Sequence, residues 1–214
     1  MFKPIQALIV SAFISSTANA AVIYSNDFET GSTTGLTGLT TVTTAPSGEN
    51  FLGPYNLYTN TTLSLSGLAS HSSVTIDFDV YGIRSLDGTT SGDNFTFELN
   101  GTEVVKDYYG HNSAVILGPT TGVLVDHDIS TLGYSQFYGG VSTYHYSLNF
   151  NDTASGINFT FNGNADSDFG DEAFGVDNIV VSTNAVPEPS LLALMGLGLL
   201  GLGLSSRKMK QVNE

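Results

Sequence analysis

Val74-Thr75-Ile76-Asp77-Phe78-Asp79-Val80 alternates apolar and polar residues without a break. A period of two marks a β-strand with one buried face, so Val74, Ile76, Phe78 and Val80 are expected on one face of it. Phe95-Thr96-Phe97-Glu98-Leu99 repeats the pattern. Asn100-Gly101 follows, a dipeptide that accepts the positive φ pair of a type I′ turn. Thr102 to Lys106 then returns as the second strand of a hairpin.

Further strands are expected over residues 22–28, 62–65, 144–150, 157–161 and 175–182, with Gly, Asn, Ser and Thr dominating the intervals. No helical period and no internal repeat occurs between residues 21 and 185. Many short strands joined by such turns predict an all-β fold, a β-sandwich. Residues 30–47, rich in Gly and Thr, are expected as an irregular surface stretch, and residues 112–138 show no readable period.

Charge is distributed unevenly. Of six basic residues only Arg84 and Lys106 lie between residues 21 and 185, against eighteen of the twenty acidic ones. A nucleic-acid partner needs Lys and Arg for its phosphates, so nucleic acid is excluded as a partner. Strong acidity suits solubility outside the cell and cation binding. With no cysteine there is no disulfide, thiol nucleophile or thiolate metal site. Core packing, with or without a metal ion, must then hold the domain.

Both ends read as targeting segments. Residues 1–20 have the layout of a signal peptide: Lys3 as the positive region, an apolar run over 5–14, and Ala18-Asn19-Ala20 as the small-x-small cleavage site, placing the mature start at Ala21. At the other end, Val186-Pro187-Glu188-Pro189 precedes an apolar segment over 191–206 and a basic end, 207–210, with Arg207, Lys208 and Lys210. Two prolines remove two backbone donors and favour an extended, accessible peptide. A helix of about 16 residues spans roughly 24 Å, short of a bilayer core of ~30 Å. The basic cluster is expected on the cytoplasmic side, which leaves the domain outside.

The order Val186-Pro187-Glu188-Pro189-Ser190, Gly/Leu-rich span, Arg-Lys resembles the PEP-CTERM sorting signal, here over 186–210. The resemblance implies recognition and cleavage of the tail by an exosortase in the cytoplasmic membrane of a Gram-negative, exopolysaccharide-making bacterium. Signal peptidase would process the other end. The mature protein would then reside in the cell envelope, at the surface or in the extracellular matrix.

A second resemblance covers most of the 21–185 domain. It rests on Asn26-Asp27-Phe28-Glu29, Leu86-Asp87-Gly88, Gly92-Asp93-Asn94-Phe95, Tyr146-Ser147-Leu148-Asn149-Phe150 and Gly170-Asp171-Glu172-Ala173-Phe174-Gly175-Val176-Asp177-Asn178-Ile179. This set is similar to lectin-like or carbohydrate-binding-module-like jelly rolls. The fold expectation is therefore a jelly-roll-type β-sandwich, flanked by a signal-peptide helix and a C-terminal transmembrane helix.

Asp166, Asp168, Asp171, Glu172 and Asp177 crowd twelve residues, and their repulsion calls for a cation. Asp166 to Asp177 has the length of an EF-hand loop, but Gly170 falls at the fifth place and no helices flank it, so an EF-hand is rejected. In a jelly roll the first and last strands commonly lie side by side. That arrangement would bring Asp27 or Glu29 to Asp171, Glu172 and Asp177 as a structural Ca²⁺ site. The alternative is a solvated acidic loop in which Asp177 and Asn178 make turn hydrogen bonds.

Tyr108, Tyr109, Tyr134 and Tyr138 lie near Gly-rich stretches and are the candidates for stacking on sugar, whereas Tyr144 and Tyr146 are expected to pack a strand face. His71, His111, His127 and His145 lack metal or triad spacing, and no Gly-x-Ser-x-Gly elbow occurs. The sequence is read as a non-catalytic envelope or matrix protein that binds Ca²⁺ and exopolysaccharide. Two alternatives stand beside it: a purely structural surface protein, and a secreted glycan hydrolase.

Overall fold

The computed structural model describes residues 20–90, 92–110, 120–127, 132–135, 140–186 and 196. The chain divides into two compact units. One is Ala20–Ala185; the other comprises Met1–Asn19 and Val186–Glu214. Of the second unit only Val186 and Gly196 are described, so the expected signal-peptide and transmembrane helices lie outside the described residues. Among the described residues no helix is long and apolar enough to cross a membrane.

Among the described residues twelve strands build the Ala20–Ala185 unit: β1 Ala20–Asn26, β2 Leu36–Gly38, β3 Val42–Thr44, β4 Asn50–Tyr55, β5 Thr59–Ser66, β6 His71–Arg84, β7 Asn94–Leu99, β8 Thr102–Tyr108, β9 Val123–His127, β10 Val141–Asn151, β11 Gly156–Asn164 and β12 Glu172–Ala185. They form an all-β, jelly-roll-type sandwich of two antiparallel sheets. The larger sheet runs β3-β4-β12-β6-β10-β9 with β1 also on β12, and the smaller runs β2-β5-β11-β7-β8.

The alternating stretch lies within the fourteen-residue β6, and its apolar members, Val74, Ile76, Phe78 and Val80, are all fully buried between the sheets. Phe78 is a hub there. Its ring stacks on Tyr146 at 5.1 Å and on Phe97 at 5.2 Å, and meets Phe161 edge-on at 5.2 Å. Removing so large a buried ring costs on the order of 3–5 kcal/mol.

The β7–β8 hairpin closes through Asn100 (φ 50°) and Gly101 (φ 79°), the two positive values a type I′ turn needs. A bulge then shifts the register, so that Glu98 faces Glu103 while Phe97 faces Val105. The extra residue is Val104, and this explains why Val104 is exposed next to a buried Val105.

The stretch 30–47 is not irregular throughout: β2 and β3 lie within it and pair with β5 and β4. The outer face of the larger sheet carries a second, smaller core. Ala45, Phe51, Tyr81, Ile83, Leu132, Tyr134 and Val141 are buried there, with Phe169 packed against them.

Candidate functional site

Where β11 ends, β12 begins and β7 begins, three carboxylates from distant parts of the chain meet. Asp93 directly precedes β7, Asp166 follows β11, and Glu172 opens β12. One ligating atom from each lies within 4.8 Å of the others, the one such group found among the described residues. Asp93 and Glu172 are buried, whereas Asp166 is exposed, so the cluster has one open side.

Local structure holds the three in place. The Asp166 amide donates to Glu172 Oε1 at 3.0 Å. The Asp87 amide donates to Asp93 Oδ2. The neighbouring Asn164 donates to Asn94 across β11 and β7 at 3.0 Å. Burial, followed by the bond to Asp166 and the charge of Asp93, holds the Glu172 carboxyl well above the usual carboxylate range. An all-oxygen donor set with one wet side suits a hard divalent cation that completes its shell with water.

Glu172 is the one residue of the expected Ca²⁺ set that joins this group. β1 does pair with β12, as expected of first and last strands, but the register sets Asn26 opposite Ile179. Glu172 lies seven residues back along β12, roughly 20 Å away. β4 occupies that interval, with Tyr55 facing Phe174 and Leu52 facing Val176. Asp27 is exposed and caps the Glu29 amide at 3.2 Å. Glu29 instead accepts from the Asn50 amide at 2.9 Å, and Asp171 accepts from the Ser85 hydroxyl at 2.8 Å.

Asp177 is fully buried and accepts from the Tyr81 phenol and from the Asn178 amide. The bond between Asp177 and Asn178 joins neighbours in the chain with Asp177 buried, and is not the turn hydrogen bonding of a solvated loop. Asp93 is the member that sequence spacing misses, because it sits 73 residues before Asp166. The Gly92-Asp93-Asn94 turn ahead of the hairpin is its only local signal.

The tyrosines are corrected by their burial. Tyr109 is fully buried, meeting Tyr144 and Phe174 edge-on. Tyr134 is 7% exposed and lies under the Arg84 guanidinium, 5.3 Å from its ring centroid. A ring packed on both sides has no face for a sugar. Tyr108 is half-buried with the Lys106 ammonium 6.0 Å from its ring, and Tyr138 lies outside the described residues. Tyr144 and Tyr146 pack in the core.

A different tyrosine stands open. Between β4 and β5, at the crossing from one sheet to the other, Asn56-Leu57-Tyr58-Thr59 makes a tight turn closed by the Thr59 amide on the Asn56 carbonyl at 3.1 Å. Leu57 (φ 47°) and Tyr58 (φ 65°) both sit in the left-handed region. Side chains there cost about 1 kcal/mol or more apiece. Neither recovers that cost by burial, since Leu57 is 57% and Tyr58 75% exposed.

On the outer face of the larger sheet, His145 Nδ1 lies 2.8 Å from Asp79, which also accepts from Asn178. His71 is buried between the Ala69 carbonyl and Asp152. Neither joins a third ligand among the described residues.

The C-terminal end identifies how this β-sandwich is sorted. Residues 185–208 match the family model described as the PEP-CTERM protein-sorting motif, so the chain carries that signal. The signal implies an exported, membrane-anchored precursor processed by an exosortase. Of the expected processing residues, Ala20 and Ala21 open β1 opposite Asn184 and Thr183. Val186 is exposed, one residue beyond β12. Ala18, Pro187, Glu188, Pro189, Arg207, Lys208 and Lys210 lie outside the described residues.

No curated protein matches the chain. Among solved structures it is similar to the K3 cleaved adhesin domain of Lys-gingipain from Porphyromonas gingivalis, with 15% identity, 76% of this chain and 100% of that one covered, and a TM-score of 0.44. It is similar to a family 35 carbohydrate-binding module from an environmental isolate, with 12% identity, coverages of 77% and 100%, and a TM-score of 0.41. It is also similar to the mannan-recognising module TmCBM27, with 12% identity, coverages of 78% and 99%, and a TM-score of 0.39.

Proposed function

We propose that this is a non-catalytic protein of the bacterial cell surface or extracellular matrix, released from its precursor by cutting at both ends. Its sandwich holds one structural Ca²⁺ and binds exopolysaccharide. The observation that carries this reading is that the sorting motif starts at Ala185, the last residue of β12, so the sandwich runs directly into the sorting signal. Signal peptidase would cut after Ala20, at the start of β1, and exosortase in the Val186-Pro187-Glu188-Pro189 stretch.

Three features support the binding part. Asp93, Asp166 and Glu172 each offer an oxygen ligand within 4.8 Å of the others, which suits a structural divalent cation. Glu172 holds its proton through burial and the charge of Asp93, so a cation bound there would displace that proton and regain a charged ligand, making binding stronger as pH rises. The domain's surplus of acid over base turns it away from anionic polymers unless a divalent ion bridges them. Mass spectrometry of the mature protein from producing cells tests the core of the reading. Termini at Ala21 and within 186–189 are expected; a protein that keeps Met1 and Glu214 would refute it.

A further inference from the structure

We infer that the Leu57-Tyr58 turn is the glycan-contact surface of this domain, with Tyr58 as the ring on which a sugar stacks. This rests on the glycan-binding reading above and names the residue that performs it.

The turn and its occupants do not match. Two successive positive φ values are met without strain by Asn-Gly, and the chain uses that pair at Asn100-Gly101. At the Asn56–Thr59 turn it places a leucine and a tyrosine instead, both largely open to solvent. Both side chains leave more than half of their surface in water, so burial offsets little of that cost. Residues kept in a costly conformation without burial point to use of the side chains themselves.

The turn is also rigid. The Leu57 amide donates to the Ala165 carbonyl at 2.9 Å, and the Asn56 amide to the Thr59 hydroxyl at 3.1 Å. An exposed aromatic on a fixed backbone loses little conformational freedom when it binds, which is what a stacking platform requires. The residue that follows Ala165 in the chain is Asp166, an exposed carboxylate that can accept hydrogen bonds from hydroxyl groups. A sugar presents C–H groups on one face for a ring and hydroxyls on its rim for such acceptors.

A lipid surface would also take an exposed Leu-Tyr pair, but charge argues against it. The domain has Arg84 and Lys106 as its only basic residues against eighteen acidic ones, so an anionic membrane repels it.

The test is affinity electrophoresis of the Ala20–Ala185 unit, which contains all twelve strands and both core clusters. Gels are cast with exopolysaccharide purified from the producing cells, with a soluble mannan or with a β-glucan. Retention by at least one is expected; Tyr58→Phe keeps it and Tyr58→Ala weakens it by about tenfold or more. The double variant Leu57→Asn/Tyr58→Gly loses retention while its melting temperature rises by a few degrees, a combination that a merely structural role does not produce. Retention that Tyr58→Ala leaves unchanged overturns the turn assignment alone. No retention of the parent by any polysaccharide overturns the glycan reading and the turn with it. Tyr58-dependent sedimentation with phosphatidylethanolamine/phosphatidylglycerol vesicles, without glycan retention, would make the turn a lipid contact and overturn the inference.

Discussion

The phenol of Tyr81 donates a 2.9 Å hydrogen bond to Oδ2 of Asp177, joining β6 to β12 beneath the second core cluster. The second carboxylate oxygen accepts from the Asn178 amide at 2.7 Å, and Asn178 takes φ 51°. Burial nevertheless dominates. With help from the charges of Glu49 and Asp79, it pushes Asp177 from 3.8 up to about 7, against the two hydrogen bonds.

The direction of that shift sets a pH dependence. Between the two values the folded protein holds a proton that the unfolded chain has released. The contribution of Asp177 is therefore complete below 3.8 and is lost as pH rises through about 7. The loss is on the order of 4 kcal/mol. Asp177→Asn keeps the shape, because the Tyr81 hydroxyl can accept from the new amide, and it removes the titration. Thermal melts from pH 4 to pH 8 are expected to show a steeper fall for the parent than for Asp177→Asn. Parallel curves would show that Asp177 does not titrate in this window.

Gly175, two residues earlier, explains part of the Gly-Val-Asp-Asn run. A Cβ at this position would lie 2.6 Å from Phe51 Cδ2 and 3.2 Å from Tyr81 Cδ2. Gly175→Ala therefore forces two packed rings apart and is expected to cost roughly 1–3 kcal/mol. The smaller side chain in Gly175→Ala/Phe51→Leu should return part of it. Denaturant melts of the two single variants and the double variant read the coupling, and strict additivity would argue against the clash.

What could be read from sequence followed the range of the physics. The strand face Val74, Ile76, Phe78, Val80 and the Asn100-Gly101 turn are short-range facts, and the structure shows both. β2 and β3 are three residues each, too short for a period to show. β4 is broken to the eye by Gly53-Pro54. Pairing of β1 with β12 was legible as a habit of such sandwiches, but its register was not, and the register keeps Asp27 and Glu29 away from Glu172. Tyr109 and Tyr134 have glycine neighbours that imitate exposed loops, while their rings turn into the two cores.

The carboxylate cluster makes its own prediction. In calcium-free buffer Glu172→Gln should fold at least as well as the parent, since a neutral amide suits a buried site that already favours the neutral acid. Adding Ca²⁺ to about a hundred times its dissociation constant should stabilise the parent by ~2.7 kcal/mol. Glu172→Gln and Asp93→Asn should show little or no rise, and Mg²⁺ a smaller one than Ca²⁺ in the parent. Calorimetric titration with Ca²⁺ checks this. No heat and no change in melting temperature would remove the metal site.

Asp107, on β8, is 1% exposed and gathers four donors. Oδ1 accepts from the Thr120 amide at 2.9 Å and the Thr120 hydroxyl at 2.8 Å; Oδ2 accepts from the Thr121 amide at 3.1 Å and the Tyr146 phenol at 3.0 Å. Tyr146 has a single proton and spends it on Asp107, so Tyr109, 2.8 Å away, donates to the Tyr146 oxygen. One carboxylate thus links the smaller sheet, through β8, to β10 of the larger and to the Thr120-Thr121 segment that leads into β9. Asp107→Ala leaves these donors without their acceptor and is expected to cost several kcal/mol. Tyr146→Phe removes one link and one acceptor and should cost about 1–2 kcal/mol. The distribution of the loss is the sharper check. Among the described residues β9 is an edge strand paired only with β10, so its amides should exchange with deuterium markedly faster in Asp107→Ala than in the parent, while those of β6 and β12 change only as far as global stability falls. Uniform acceleration across both sheets would mean that the clamp serves the whole sandwich rather than fastening its edge.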